Sequence, residues 1–202
     1  MVGDFPVTTY ERDASATFRK VAESFGGYSN MAGGWPLRVS GIDVRTSEAL
    51  YQACRFPRHV EIQRLVIEQK SPMSAKMVTK PHRDKTRSDW DHVRVPIMRW
   101  CLMIKLVQHW ERFGALLRAS EDKPIVEDSH KDAFWGAKPV SATTLQGQNV
   151  LGRLLEEMRV FANGARLVTV EPLELVDFSL YGEPIAATGT AVTGQLTLQG
   201  DV

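Results

Sequence analysis

The run Pro96-Ile-Met-Arg-Trp100-Cys-Leu-Met-Ile-Lys105-Leu-Val-Gln-His-Trp110-Glu-Arg-Phe-Gly-Ala-Leu-Leu117 decides the fold. Met103, Leu106, Val107, Trp110, Phe113 and Leu117 recur at three- and four-residue steps, the signature of one apolar helix stripe. Pro96 suits a helix start, because its missing N–H costs nothing in the first turn. About 22 residues at 1.5 Å each span roughly 33 Å, the width of a small domain. The rest of the chain is expected to pack around this rod.

Working outward, Gln148 to Ala162 repeats the pattern with Leu151, Leu154, Leu155 and Met158, and Asn163-Gly164 stops it. Upstream come three short helices. Thr46 is a suitable N-cap, and Glu48 in the first turn suits the helix dipole; this helix runs through Leu50, Ala53 and Cys54 to Pro57. Val60 to Gln69 places Ile62, Leu65 and Val66 inward. Ser71-Pro72 opens a third helix that Pro81 ends. Leu37, Val39, Ile42 and Val44 read as a hairpin turning at Ser40-Gly41. Residues 120–147 read as a loop-rich connection, and Val168, Val170, Leu173 and Leu175 as strands or extended chain. The expected architecture is mainly α, with a small β-hairpin. It divides into a loosely held polar arm (1–17), a helical domain (18–164), and an acidic extended or β extension (165–202), packed on the domain or trailing it.

The 202 residues are enough for a full core without disulfides or metals. Lys and Arg number 25 against 24 acids, a net charge of +1 that argues at first against a nucleic-acid partner. The distribution reverses this. Glu171, Glu174, Asp177, Glu183 and Asp201 lie in a stretch from Val168 onward that has no Lys or Arg, so residues 1–167 carry +6. Lys80, Arg83, Lys85, Arg87 and Arg94 form a basic segment before the quoted run. No run of 18 apolar residues and no signal-peptide pattern occurs, and Cys54 and Cys101 read as buried free thiols, so a cytoplasmic protein with no membrane partner is expected. Neither CxxC nor HExxH occurs, so no metal site is expected.

Some residues do not fit the core pattern. Ser29 and Asn30 follow Gly26-Gly27, where plain turn chemistry could account for them. Glu48, Tyr51, Gln52 and Arg55 fall at i, i+3, i+4 and i+7, on one helix face that is either solvated or a cleft wall. Asp89-Trp90-Asp91 puts a Trp off any core stripe. Glu127-Asp-Ser-His-Lys-Asp132-Ala-Phe-Trp135-Gly136 crowds acids and a Trp-Gly into a connection long enough to suggest function.

Five ordered motifs resemble one family. They are Phe18-Arg-Lys20-Val-x-Glu-x-Phe-Gly-x-Tyr-Ser29-Asn30-Met31, Thr46-Ser-Glu48-x-x-Tyr51-Gln-Ala-x-Arg55-Phe56, Arg87-x-Asp-Trp90, Glu127-x-Ser-x-x-Asp132-x-x-Trp135-Gly136 and Gly147-x-Asn149-x-Leu-Gly-x-x-Leu-x-x-x-Arg159. Across about residues 18–160 the chain resembles the NADAR (NAD- and ADP-ribose-associated) family with its YbiA-like helical fold. Arg55 for a usual Lys, Met31 for an aromatic, and the acidic extension depart from the pattern.

The resemblance implies an N-glycosidase acting on ribosyl or ADP-ribosyl amines, without a cofactor. One branch takes ribosylamino-pyrimidine phosphates of riboflavin synthesis. Another removes ADP-ribose from guanine in nucleic acid and counters an ADP-ribosylating toxin; the basic body favours this branch, with ADP-ribosylated DNA as the partner. Two routes are open: a Schiff base on a lysine, with Lys20 the candidate, or direct hydrolysis by carboxyl groups. Glu48 and Asp132 are the catalytic carboxyl candidates. Trp90 and Trp135 are candidates to stack on base or sugar, and Arg55, Lys76 and Arg87 to meet phosphates. Ser29, Asn30 and Asn149 are candidates to orient the sugar or pyrophosphate, with Tyr51 and Gly136 also in the substrate site. A non-catalytic ADP-ribose binder is the third reading; it has no use for the paired carboxylates.

Overall fold

In this computed structural model, which describes residues 5–189, the chain begins with β1 (Thr8–Glu11) and β2 (Ala16–Phe18), followed by the hairpin strands β3 (Leu37–Val39) and β4 (Ile42–Val44). Helices α1 (Ser47–Ala53), α2 (Val60–Ile67), α3 (Pro72–Met77), α4 (Trp90–Gln108) and α5 (Trp110–Arg118) come next. Strands β5 (Ile125–Glu127), β6 (Lys138–Pro139) and β7 (Thr144–Gly147) lead into α6 (Val150–Asn163). The chain closes with β8 (Thr169–Val170), β9 (Ser179–Leu180), β10 (Glu183–Pro184) and β11 (Thr188–Gly189). Helical residues predominate, but the eleven short strands among the described residues make "mainly α" only a loose description.

The quoted run forms the core, as two helices rather than one. α4 starts six residues before Pro96, which therefore sits inside the helix and leaves the His92 carbonyl without its i+4 donor. The rod then breaks at His109, whose backbone lies at φ −123°, ψ 37°. The His109 ring donates through Nε2 to the Pro36 carbonyl at 2.8 Å and meets the Trp35 ring edge-on. These distant contacts hold the residue at the kink, where its N–H still donates to the Lys105 carbonyl and its own carbonyl accepts from the Phe113 N–H. α5 and α4 both pack on α6, burying Leu102, Ile104, Leu106, Phe113, Leu117, Leu154, Leu155 and Met158. Each such side chain contributes about 1.5–3 kcal/mol by leaving water.

Local chemistry sets several boundaries as expected. Thr46 Oγ1 accepts from the Ala49 N–H, and Ser71 Oγ from the Ser74 N–H. The β3–β4 turn uses Ser40 and Gly41 at φ 49° and 79°, the paired left-handed conformation of a tight hairpin. In α2 the inward set differs: Leu65 is on the surface while Gln63 is fully enclosed. Gln63 is buried because it donates to the Ser179 carbonyl at 2.9 Å and accepts from the Tyr181 N–H at 2.7 Å.

The polar N-terminal segment is not a loose arm where it is described. β1 runs antiparallel to β7, with β6 on the far side, and β2 runs parallel to β5. Tyr10, Ala16 and Phe18 are buried. The connection at 120–147 thus contains three strands. The C-terminal extension, as far as residue 189, packs on the domain: Trp100 Nε1 donates to the Glu171 carbonyl, and Phe178 packs edge-on against Trp100. Residues 1–4 and 190–202, with Asp201, lie outside the described residues. No described helix is long and apolar enough to cross a membrane.

Candidate active site

The Thr46 cap fixes where α1 begins, and thereby which face its side chains share. Glu48, Tyr51, Gln52 and Arg55 form the wall of a cavity of about 300 Å³. Ser29 and Asn30, from the loop after the Gly26–Tyr28 turn, line it from one side, and Trp90 at the start of α4 from another. Lys76 of α3 and the loop residues Asp132 and Trp135 complete the group. Nine of the thirteen site candidates named from the sequence therefore converge, together with Gln52, though Ser29 and Trp135 lie 106 positions apart.

Four named residues stand elsewhere. Lys20 is exposed, outside this cavity, with its backbone N–H on the Glu23 carboxylate. Arg87 lines a neighbouring cleft, its guanidinium held by Asp89. Gly136 packs behind the site: a Cβ there would stand 2.6 Å from the Glu127 carbonyl oxygen, so only glycine lets the 135–137 backbone lie this close to β5. Asn149 is fully buried. Its Oδ1 accepts from the Glu127 N–H at 3.1 Å and its Nδ2 donates to the Ile125 carbonyl at 2.8 Å. It clamps β5 and does not touch the cavity.

That clamp positions the carboxyl group the sequence reading passed over. Glu127 ends β5 and lines the cavity. Burial, then the negative charge of Asp132, pushes its carboxyl up to about 7. Its signal in the sequence was its place directly after apolar Ile125-Val126, at the head of the motif that ends in Trp135-Gly136. Glu48 is also raised by burial, opposed by the hydrogen bond from Gln52 Nε2 at 2.8 Å and by the charges of Lys76 and Arg55. Asp132 lines the cavity, but its Oδ1 accepts from the N–H groups of Phe134 and Trp135, both at 2.9 Å. It shapes the loop and, by its charge, favours the protonated form of Glu127.

Aromatic rings and cations fill out the walls. Tyr51 lies between Trp90 and Trp135, with ring centroids 5.0 and 5.8 Å away. The Arg55 guanidinium sits 5.2 Å from the Trp90 ring, while Arg94, a cavity residue that the sequence marked only as part of the basic segment, sits 4.0 Å from Phe134. Asn30 Oδ1, Arg55 Nε and Arg94 Nε are buried without a protein partner. Buried polar atoms are seldom left so, and a polar ligand in this cavity would supply the missing partners. The arrangement offers a protonated carboxyl near neutrality, a second carboxyl beside cations, and flat surfaces for a base or sugar.

The comparisons agree with this chemistry. N-glycosidase YbiA of Escherichia coli (strain K12) is 34% identical over 151 residues, covering 73% of this chain and 88% of that protein. An N-glycosidase of Nostoc punctiforme is 30% identical over 144 residues, 70% of this chain and 88% of its own length. A riboflavin biosynthesis protein of Vibrio vulnificus is 32% identical over 165 residues; the match covers 76% of this chain but 42% of that protein. The NMR structure of the E. coli protein YbiA superposes with a TM-score of 0.62 at 33% identity, over 75% of this chain and 86% of that one. Residues 17–161 match the NADAR domain, a span that includes every residue lining the cavity, and the chain belongs to the NADAR family.

Proposed function

We propose that this chain is an N-glycosyl hydrolase that removes ADP-ribose from modified guanine in DNA, in the role of antitoxin to an ADP-ribosylating toxin. The glycosidase part rests on the pairing of Glu127 with Glu48 in one cavity lined by Trp and Arg. The DNA part rests on the basic body of the chain and on Trp90 beside the basic segment.

The residues lend themselves to direct hydrolysis. Glu127, protonated near neutral pH, gives its proton to the exocyclic nitrogen as the C1–N bond breaks, and the bonding electron pair leaves with that nitrogen. Glu48, held by Gln52 and stabilised as an anion by Lys76 and Arg55, takes a proton from the water that adds to C1. Water thus divides between the released amine and the ribose hydroxyl. Trp90 and Trp135 offer faces to the base or sugar, and Arg55, Arg94 and Lys76 offer charge to phosphate. Lys20, which does not line the cavity, has no part in this route.

A second reading, hydrolysis of a ribosylamino-pyrimidine phosphate, draws support from the printed name of the Vibrio vulnificus relative. The cavity of about 300 Å³ is at the small end for ligand sites and suits a nucleotide-sized group. The test is to incubate the protein with DNA carrying ADP-ribosyl-guanine, and separately with the pyrimidine intermediate, and to follow release of the free amine. Release from DNA supports the first reading; release from the small molecule alone replaces it with the second. Tight ADP-ribose binding without turnover of either would make the chain a binding module.

A further inference from the structure

A second hollow shares a wall with the candidate active site. This cleft of about 410 Å³ is lined by Pro57–His59, Asp84–Asp89 and, from the C-terminal extension, Val176 and Asp177. The common wall is Arg55 with the segment that follows a basic helical turn at Lys80–Lys85. Arg55, on the cavity side, donates through Nη2 to Thr86 Oγ1 on the cleft side at 3.1 Å. Its carbonyl accepts from the Arg87 N–H at 2.9 Å. Arg58, three residues after Arg55, and Lys85, next to Thr86, put cations on the cleft.

Two features mark the cleft as built for an anion. Arg87 is held rigidly, with a side chain only 6% exposed. Asp89 takes its Nε and Nη2, the Val176 carbonyl also accepts from Nη2, and Nη1 is left buried with no partner. Arg58 is bound differently. Among the described residues its only ion pair is with Asp177, and both side chains are open to solvent, 77% and 40% exposed. Such a pair is worth little and exchanges readily. Asp177 is held at φ 55°, a conformation that non-glycine residues rarely adopt, which presents its carboxylate to Arg58. Asp84 and Lys85, neighbours in the chain, both line the cleft. The extension lies beyond the residues that match the domain.

We propose that the cleft is a phosphate subsite for the part of the substrate that extends past the ribosyl group, and that Asp177 occupies the place of that phosphate until substrate arrives. The proposal rests on the glycosidase reading for the identity of the ligand. It explains how a cavity large enough for one nucleotide-sized group could serve a substrate with a pyrophosphate. Arg58, Lys85 and the unpartnered Arg87 N–H then take the anion, and the displaced Asp177 turns to water.

The test is binding, measured apart from turnover. ADP-ribose, ribose 5-phosphate and a short unmodified single-stranded oligonucleotide are each titrated by calorimetry into the full chain and its variants. Arg58→Ala/Lys85→Ala is expected to weaken ADP-ribose binding about tenfold and leave ribose 5-phosphate unchanged. Asp177→Asn is expected to tighten ADP-ribose about threefold, an outcome that a merely structural role for Asp177 would not give. If the oligonucleotide responds to these substitutions and ADP-ribose does not, the phosphate is that of a nucleic-acid backbone. Equal affinities across all variants for both ligands, with unchanged thermal melts, overturn the subsite. Cleft-dependent binding without release of any amine overturns the glycosidase reading and leaves the subsite standing.

Discussion

Lys105 Nζ donates to the Gly27 carbonyl at 2.7 Å from a side chain that is 1% exposed. The ammonium lies over the Phe113 and Trp35 rings, at 4.2 and 5.1 Å. Gly27 sits two residues before Ser29, so a buried lysine in the last turn of α4 holds the loop that supplies Ser29 and Asn30 to the cavity. Burial lowers its pKa to about 7.

This predicts a pH-dependent stability. Between about 7 and 10.5 the unfolded chain carries the Lys105 proton and the folded chain does not. The contribution of Lys105 to stability therefore rises with pH across that window, by at most about 1.4 kcal/mol per pH unit. Below about 7 the folded state bears the full cost of a buried charge. Lys105→Met should flatten this slope in urea melts taken at several pH values. It should also raise KM, because the Ser29–Asn30 loop loses its anchor.

Glu127→Gln should cut kcat by about 10²–10⁴-fold, the usual weight of a general acid. In the wild type the acid form is lost as pH rises through about 7, so activity should fall about tenfold per pH unit on the alkaline side. Asp132→Asn should move that limb to lower pH, since the Asp132 charge helps to keep Glu127 protonated. An alkaline limb unmoved by both substitutions would assign the acid to another group.

Asn149→Ala removes both hydrogen bonds that clamp β5 and leaves the Glu127 N–H and Ile125 carbonyl short of partners. It also places alanine at φ 49°. A loss of about 2–4 kcal/mol is expected in chemical denaturation, together with a fall in kcat as Glu127 loses its position. Gly152→Ala attacks the same joint from α6, since a Cβ would fall 2.0 Å from the Ile125 carbonyl oxygen. Overpacking of that kind costs typically about 1–3 kcal/mol or more.

Lys20→Ala should keep activity within about twofold, because the side chain is exposed and outside the cavity. Borohydride added during turnover should capture no adduct at residue 20, as read by peptide mass. An adduct there would restore the Schiff-base route and require the N-terminal loop to reach the cavity.

Features that depend on near neighbours in the chain were legible in the sequence. The Thr46 and Ser71 caps, the Ser40-Gly41 hairpin, the stripe of α6 and the shared face of Glu48, Tyr51 and Arg55 all follow from periods and turn chemistry that act within a few residues. Motif resemblance added the family, and with it the roles of the cavity residues that the motifs contain. Tertiary structure decided the rest, because the deciding contacts span most of the chain. β2 pairs with β5 across more than a hundred residues, and His109, at the break in the rod, is held by the Pro36 carbonyl. Asn149 and Gly136 read as ligands but act as supports, since what they touch is the backbone of β5. Glu127 becomes an acid only because folding removes it from water beside Asp132, and desolvation is a property of the assembled cavity rather than of any residue's neighbours in sequence.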